Sequence, residues 1–138
     1  GASGVYKGQG HLCAEECALL VDLARGAGVK KIVITHPEFE ANPMPVEMQK
    51  KLAPKGVFFE RCFYATNSHQ NLPVEVVAEQ IKAVGVETTL LSSDFGQDYN
   101  PRPVEGLTLF LNELARCGIP EKDLRTMITE HPAQLLNM

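Results

Sequence analysis

The sequence predicts an α/β fold in which four β/α units place parallel strands side by side, as in half of a TIM (β/α)8 barrel. Buried, β-branched strand patterns alternate with amphipathic helix patterns along the chain. His11, His36 and Asp94 each stand where a predicted strand ends, which is where the active sites of such barrels are built. A complete barrel takes about 250 residues, or about 200 at the short end. The 138 residues of this chain are therefore expected to form at most half of one.

The first two units are predicted from the segment that runs from His11 to His36. A short strand precedes His11, and residues 14–27 then carry apolar side chains three and four positions apart, which is the stripe of a helix packed on one face. The run 31–35 is short, apolar and β-branched, as in strands buried inside parallel sheets. Pro37 biases the residue before it away from the α region, so His36 ends the strand and does not begin a helix.

The remaining units follow in the same alternation. A loop rich in Pro and Asn leads to a helix that opens at Pro45, where the fixed φ of proline favours the first turn. Pro73 gives the same signal, and a glycine ends each of the two longer helices that follow. The resulting predictions are helices over 45–53, 73–85 and 104–118, strands over 56–62 and 86–93, and a last helix from 120. We expect a single α/β domain over 1–138, as the C-terminal half-barrel of a larger chain.

Composition limits the classes of partner. The chain is 44% hydrophobic and 22% charged, with a formal charge of −4 and no cluster of basic residues, so nucleic acid is not an expected partner. It has no apolar run near the roughly 18 residues that a membrane span needs. The four cysteines form no CxxC pair and do not resemble a secreted disulfide framework. These features predict a cytoplasmic protein with reduced thiols.

The side chains at the strand ends suggest a metal site. Imidazole and carboxylate both bind Zn²⁺ and related divalent ions, and a catalytic site needs about three such ligands with one position left for water. His11 and His36 follow neighbouring strands, and Asp94 comes two units later. A closed barrel would turn all three toward the same mouth. A histidine that ends a strand is also often an ordinary hydrogen-bonded loop residue, so spacing alone leaves both interpretations open.

Three further polar residues are candidates for contact with substrate or for support of the ligands. Glu60 lies inside an apolar strand, so it points either into the barrel mouth or toward a solvent-facing edge. His69 belongs to a polar loop that follows a strand, where an exposed histidine is the simplest interpretation. Arg102, in the loop after Asp94, could meet an anionic substrate or be a solvated loop residue.

Several short motifs occur in order along the chain, namely Gly8-Gln9-Gly10-His11-Leu12 followed by Ala14-Glu15-Glu16, Val33-Ile34-Thr35-His36-Pro37, Ser92-Ser93-Asp94-Phe95-Gly96-Gln97 and Glu130-His131-Pro132-Ala133-Gln134-Leu135-Leu136. Together these motifs resemble the C-terminal half of the amidohydrolase superfamily of metal-dependent TIM-barrel hydrolases. The resemblance covers nearly the whole chain and is closest to an uncharacterised, histidinol-phosphatase-like branch.

The resemblance implies roles for three residues. His11 matches the histidine ligand of strand five in that family, His36 the histidine ligand of strand six, and Asp94 the aspartate of strand eight, which binds metal and accepts a proton from the attacking water. The family's His-x-His on strand one, and its bridging lysine or glutamate on strand four, have no counterpart here. The chain alone therefore lacks the ligands of a two-metal site.

Two functions are consistent with these patterns. The first is a metal-dependent hydrolase, using zinc or else manganese or iron, that acts on a small molecule through metal-activated water and has an incomplete site in this chain. The second is a non-catalytic α/β module, either a half-barrel that assembles with a partner or a flavodoxin-like domain that binds a ligand at its strand ends. In either case exposed sheet edges predict a homo-oligomer or pairing with the missing N-terminal half.

Overall fold

The computed structural model describes the backbone of residues 5–8 and both backbone and side chains of residues 11–66 and 71–138. Four strands lie in this part of the chain, namely β1 (Val5–Gly8), β2 (Lys31–Thr35), β3 (Val57–Cys62) and β4 (Thr89–Ser92). Its α-helices are α1 (Ala14–Gly26), α2 (Val46–Leu52), α3 (Val74–Val84), α4 (Pro103–Arg116), α5 (Glu121–Arg125) and α6 (His131–Leu136).

All four strands form one parallel sheet in the order β1-β2-β3-β4, which is also their order in the sequence. The register pairs Thr35 with Glu60 and Glu60 with Leu90, so residues of equal depth line up across the sheet. The prediction of a mixed α/β fold around a parallel sheet is confirmed. Because the strands are parallel, their carboxyl ends share one edge of the sheet.

The helices α1 to α4 pack against one face of the sheet, which we call the outer face. Ile32 and Phe59 of this face share an apolar cluster with α1 and α2, and Leu91 shares a second cluster with α3 and α4. Strand residues alternate between faces, so their neighbours point the other way. This inner face carries Val33, Thr35, Phe58, Glu60, Cys62, Leu90 and Ser92.

Helix α6 lies across the inner face near the amino ends of the strands. Its Leu135 packs with Val33 and Leu90, and the ring nitrogen Nδ1 of His131 donates to the carbonyl of Thr89 at 2.7 Å. The ammonium of Lys31 donates to the carbonyl of Leu135 at 3.3 Å, near the carbonyl end of α6, where a cation is favourable. The carboxyl-end half of the inner face, with Thr35, Glu60, Cys62 and Ser92, lies beyond this helix.

The structure differs from the sequence predictions at two helical segments. Residues 86–88 do not start the fourth strand but form a 3-10 turn (Val86–Thr88), and the hydroxyl of Thr89 donates to the carbonyl of Gly85 at 3.0 Å. The predicted last helix is α5 and α6 joined by a π-helical turn (Thr126–Glu130). Within the described ranges, no helix is both long and apolar enough to cross a membrane.

Candidate functional site

The candidate site lies at the carboxyl-end edge of the sheet. His36 follows β2 directly, Asp94 comes two residues after β4, and His11 lies in the turn between β1 and α1. The register of the parallel strands accounts for this placement, because each chain segment leaves the sheet at the same edge before it returns through a helix. Each of the three residues therefore follows the carboxyl end of a strand.

Two of the three residues are brought together. The ring centroids of His11 and His36 are 5.5 Å apart, and the rings meet edge to face at an interplanar angle of 66°. Phe39 contacts both rings, with centroid distances of 5.6 Å to His11 and 4.9 Å to His36. His11 is exposed, whereas His36 is only 8% exposed. The pair thus has one ring open to solvent and one held against the protein.

The backbone of His36 is left-handed, with φ at 36°. Such a conformation costs a non-glycine residue on the order of 1–3 kcal/mol, and it persists where neighbouring contacts determine it. Here the amide of His36 donates to the carbonyl of Glu60 at 2.6 Å, and its carbonyl accepts from the amide of Phe39 at 3.0 Å. The side-chain atom Nδ1 of His36 is buried and has no hydrogen-bond partner.

Asp94 shares the left-handed backbone but follows a strand that is not adjacent to β2. Its φ is 54°, and its side chain is exposed. The strand β3 lies between β2 and β4, so two strand spacings, roughly 9.5 Å, separate the backbones of β2 and β4. Residues 11–66 and 71–138 contain no group of three His, Cys, Asp or Glu side chains that could hold a metal ion as the structure stands.

Glu60 belongs to the inner face, on the side where the interior of a barrel would be. It is half-buried, and its Oε2 accepts a hydrogen bond from the hydroxyl of Thr35 at 2.9 Å. Next to it, the thiol of Cys62 lies 3.3 Å from the hydroxyl of Ser92. Burial raises the pKa of the Cys62 thiol far above its usual range, so this group is neutral and a poor nucleophile. The inner face near the strand ends is therefore polar and carries one carboxylate.

The other two candidates stand apart from this cluster. Arg102 is exposed and precedes α4, and its backbone amide donates to the carboxylate of Glu105 at 3.4 Å. This places it at the start of a helix, with its guanidinium in solvent. His69 lies outside the residues that the structure describes.

A buried ion pair beside the site was not predicted from the sequence. Arg61 Nη1 contacts Glu38 Oε1, and neither side chain has any exposure to solvent. Arg61 Nη2 also donates to Gln49 Oε1 at 3.0 Å, and Nη1 donates to Gln80 Oε1 at 3.3 Å. The sequence held one signal for the burial of Arg61, because Arg61 follows Val57 and Phe59 at the period of two that marks the outer, buried face of β3. Its partner Glu38 lies 23 positions earlier, so the local sequence pattern could not identify it.

Comparison with known proteins gives one family. Residues 3–60 match a family described as a family of unknown function (DUF6282). This segment is less than half of the chain; it includes His11, His36 and Glu60 and stops before Arg61 and Asp94. A search of curated proteins finds no match.

Proposed function

We propose that this chain is the C-terminal half of a metal-dependent hydrolase of the amidohydrolase type, with His11, His36 and Asp94 as ligands of a divalent ion. Zinc suits imidazole and carboxylate donors best, and manganese or iron would use the same set. The observation that carries the proposal is the His11–His36 pair, whose rings lie 5.5 Å apart beside the carboxyl ends of adjacent parallel strands.

The state of His36 supports a ligand role. A buried imidazole normally hydrogen-bonds through its ring nitrogens, yet Nδ1 of His36 has no partner. In the neutral tautomer that carries its proton on Nε2, this nitrogen offers the lone pair that a metal ligand requires. The left-handed backbone at both His36 and Asp94 adds to this, since strained residues at strand ends are common in functional sites.

The chemistry follows from these residue types. A divalent ion supplies a nucleophile at neutral pH by lowering the pKa of water to about 7. His11 and His36 would hold the ion, and Asp94 would add an anionic ligand and accept the proton that the attacking water loses. Small amides, lactones and phosphate esters are substrates that such a site can hydrolyse, and decarboxylation uses the same ligands. Glu60, His69 and Arg102 are the proposed residues for contact with substrate or for support of the ligands, and Thr35 donates a hydrogen bond to Glu60.

The half-barrel part of the proposal rests on the sheet. Strand order follows sequence order, and α1 to α4 all pack on the outer face. A flavodoxin-like sheet reverses its strand order, whereas successive right-handed crossovers without reversal are the winding of a barrel. In the proposed barrel, His11, His36 and Asp94 would line one mouth, at the edge where β1, β2 and β4 end. The partner would be a second copy of the chain or an N-terminal half.

The same proposal includes residence in the cytoplasm. All four thiols, those of Cys13, Cys17, Cys62 and Cys117, are free, which suits a reducing compartment. The proposed substrate is a small molecule, and no nucleic-acid or membrane partner is part of the proposal.

A second candidate is a non-catalytic half-barrel that assembles with a partner. The observation in its favour is that, among residues 11–66 and 71–138, no three His, Cys, Asp or Glu side chains are grouped so that they could hold a metal ion. Metal binding separates the two candidates, because a module without catalytic function has no need of the ion.

The test is dialysis against zinc followed by measurement of bound metal. The hydrolase proposal predicts about one zinc ion per chain, and Asp94→Asn should lower the affinity roughly tenfold or more while keeping the shape of the side chain. Asp98→Asn is the matched control, because Asp98 is an exposed carboxylate in the same loop that the site does not use. Equal zinc binding by both variants would remove Asp94 from the site, and no zinc binding by the unaltered chain would favour the second candidate.

A further inference from the structure

The turn that carries His36 also carries a buried carboxylate. Glu38 lies two residues after His36, and its side chain meets the guanidinium of Arg61 on the outer face of β3 with no exposure of either group. The turn itself is closed by the hydrogen bond from the Phe39 amide to the His36 carbonyl at 3.0 Å. The imidazole and the carboxylate therefore belong to one short, tightly closed segment.

Two consecutive residues of β3 contact this turn, one through its backbone and one through its side chain. The backbone carbonyl of Glu60 accepts the amide of His36 at 2.6 Å. The next residue, Arg61, binds Glu38 through its side chain. Because the first contact fixes the start of the turn and the second its middle, the left-handed φ of His36 lies between two anchors.

Arg61 is in turn held from the helices. Gln49 of α2 accepts from Nη2 at 3.0 Å, and Gln80 of α3 accepts from Nη1 at 3.3 Å. The amide nitrogen of Gln49 donates both to Gln80 Oε1 at 2.6 Å and to the carbonyl of Met44 at 2.9 Å. The amide of Met44 donates to the carbonyl of Pro37 at 2.8 Å, inside the same turn. These contacts form one hydrogen-bond network, the Arg61 network, which links the turn to β3, α3 and α2 and returns to the turn.

Stability alone does not account for an ion pair at this position. The free energy needed to remove two charges from water offsets much of the free energy gained from their attraction. Proteins with well-packed apolar side chains of similar volume in place of such a pair are often as stable. Val57 and Phe59 fill the equivalent outer-face positions of β3 with apolar groups. The pair also leaves Glu38 Oε2 and Arg61 Nε without partners, and with His36 Nδ1 these are all the orphaned buried side-chain atoms in the described part of the chain.

We propose that Glu38 and Arg61 are positioning residues that hold the His36 turn so that its imidazole faces His11. This inference rests on the proposed function of the His11–His36 site as a metal site. The planar guanidinium of Arg61 binds Glu38 and Gln80 through Nη1 and Gln49 through Nη2, and a rigid donor group held by several partners fixes orientation as well as distance. Removing the pair should therefore leave a folded protein in which His36 no longer keeps its place beside His11.

The experiment replaces the pair by apolar groups in the full chain, as the double variant Glu38→Met/Arg61→Met. Three quantities are measured, namely the urea midpoint of unfolding, the dissociation constant for Co²⁺ from its visible absorption, and the nuclear Overhauser effect between the His11 and His36 rings. We expect a urea midpoint close to that of the unaltered chain, Co²⁺ binding weakened by roughly 10- to 100-fold, and loss of the ring-to-ring signal. Asp22→Asn, which breaks the exposed pair of Asp22 with Lys55, is the control and should change neither site measurement.

A folded double variant that keeps both the Co²⁺ affinity and the ring-to-ring signal overturns the inference. If the double variant does not fold, Gln80→Leu decides, because it removes one half-buried acceptor from Arg61 and leaves the ion pair. We expect Gln80→Leu to raise the Co²⁺ dissociation constant several-fold, by about tenfold at most. A Gln80→Leu protein with an unchanged dissociation constant and an unchanged ring-to-ring signal would overturn the inference equally. If the unaltered chain binds no Co²⁺, the proposed function fails, and the ring-to-ring signal still tests the positioning role.

Discussion

At the scale of single residues, the backbone of His36 is the feature that most distinguishes the site. Four non-glycine residues have positive φ among those described, and two of them, His36 and Asp94, are the proposed ligands at strand ends. The other two are Asn71 and Asn137, of the type that tolerates this region best. Proline at position 37 predicted that no helix starts at His36, but nothing in the local sequence predicted a left-handed conformation. The turn that adopts it contacts β3, a strand more than 20 positions later, through His36 with Glu60 and Glu38 with Arg61.

The left-handed backbone can be tested by two substitutions at one position. His36→Asn and His36→Val both remove the imidazole, and both should abolish its part in metal binding. Asparagine tolerates positive φ, whereas a β-branched side chain is strongly disfavoured there, so the valine variant should be less stable by about 1–2 kcal/mol. Urea denaturation of the two variants measures this difference. Equal stability would mean that residue 36 adopts an ordinary extended backbone in solution.

At the scale of elements, the periodicity of apolar residues predicted those strands and helices that depend on local side chains. The strand 31–35 was predicted with the bounds that β2 has. The helices α1 and α3 lie within the predicted ranges, and α4 begins one residue before its predicted range. The 3-10 turn at Val86–Thr88 and the π-helical turn at Thr126–Glu130 were not predicted, because segments of three and five residues are too short to show a periodicity of their own. The Arg61 network was not predicted because its residues come from four separate segments, namely the His36 turn, α2, β3 and α3.

Packing between elements explains a glycine inside α4. A Cβ added at Gly106 would lie 2.2 Å from Cδ2 of Phe95, the residue that follows Asp94. The Phe95 ring has little room to retreat, since it packs on Phe63 at 5.3 Å and Phe63 stacks on Phe110 at 5.0 Å. Close approach to α4 thus helps to place the loop that carries Asp94.

Gly106→Ala should therefore destabilise the protein, although alanine is normally better than glycine in a helix by about 1 kcal/mol. Overpacking against Phe95 predicts a net loss of about 1–3 kcal/mol in the free energy of unfolding. Gly26→Ala is the matched control, because a Cβ at this helical position meets nothing within 4 Å. Thermal or urea unfolding compares the two, and a Gly106→Ala protein as stable as Gly26→Ala would mean that Phe95 does not pack on α4.

At the scale of the whole molecule, the sheet is covered on one face and only partly on the other. Helix α6 packs on the amino-end part of the inner face through Leu135, and Thr35 and Glu60 lie on its carboxyl-end part. Strand β1 pairs only with β2, and β4 only with β3, among the described strands. Open parallel edges expose backbone donors and acceptors that readily pair with another chain.

The central claim is that this chain is a half-barrel that needs a second half, and its mass in solution tests that claim most directly. Static light scattering at micromolar concentration should give a mass of at least twice the 15.1 kDa of one chain, because closing a barrel of about eight strands removes both open edges. A stable, well-folded monomer of 15.1 kDa that shows no association would contradict the half-barrel account and favour a self-sufficient α/β domain.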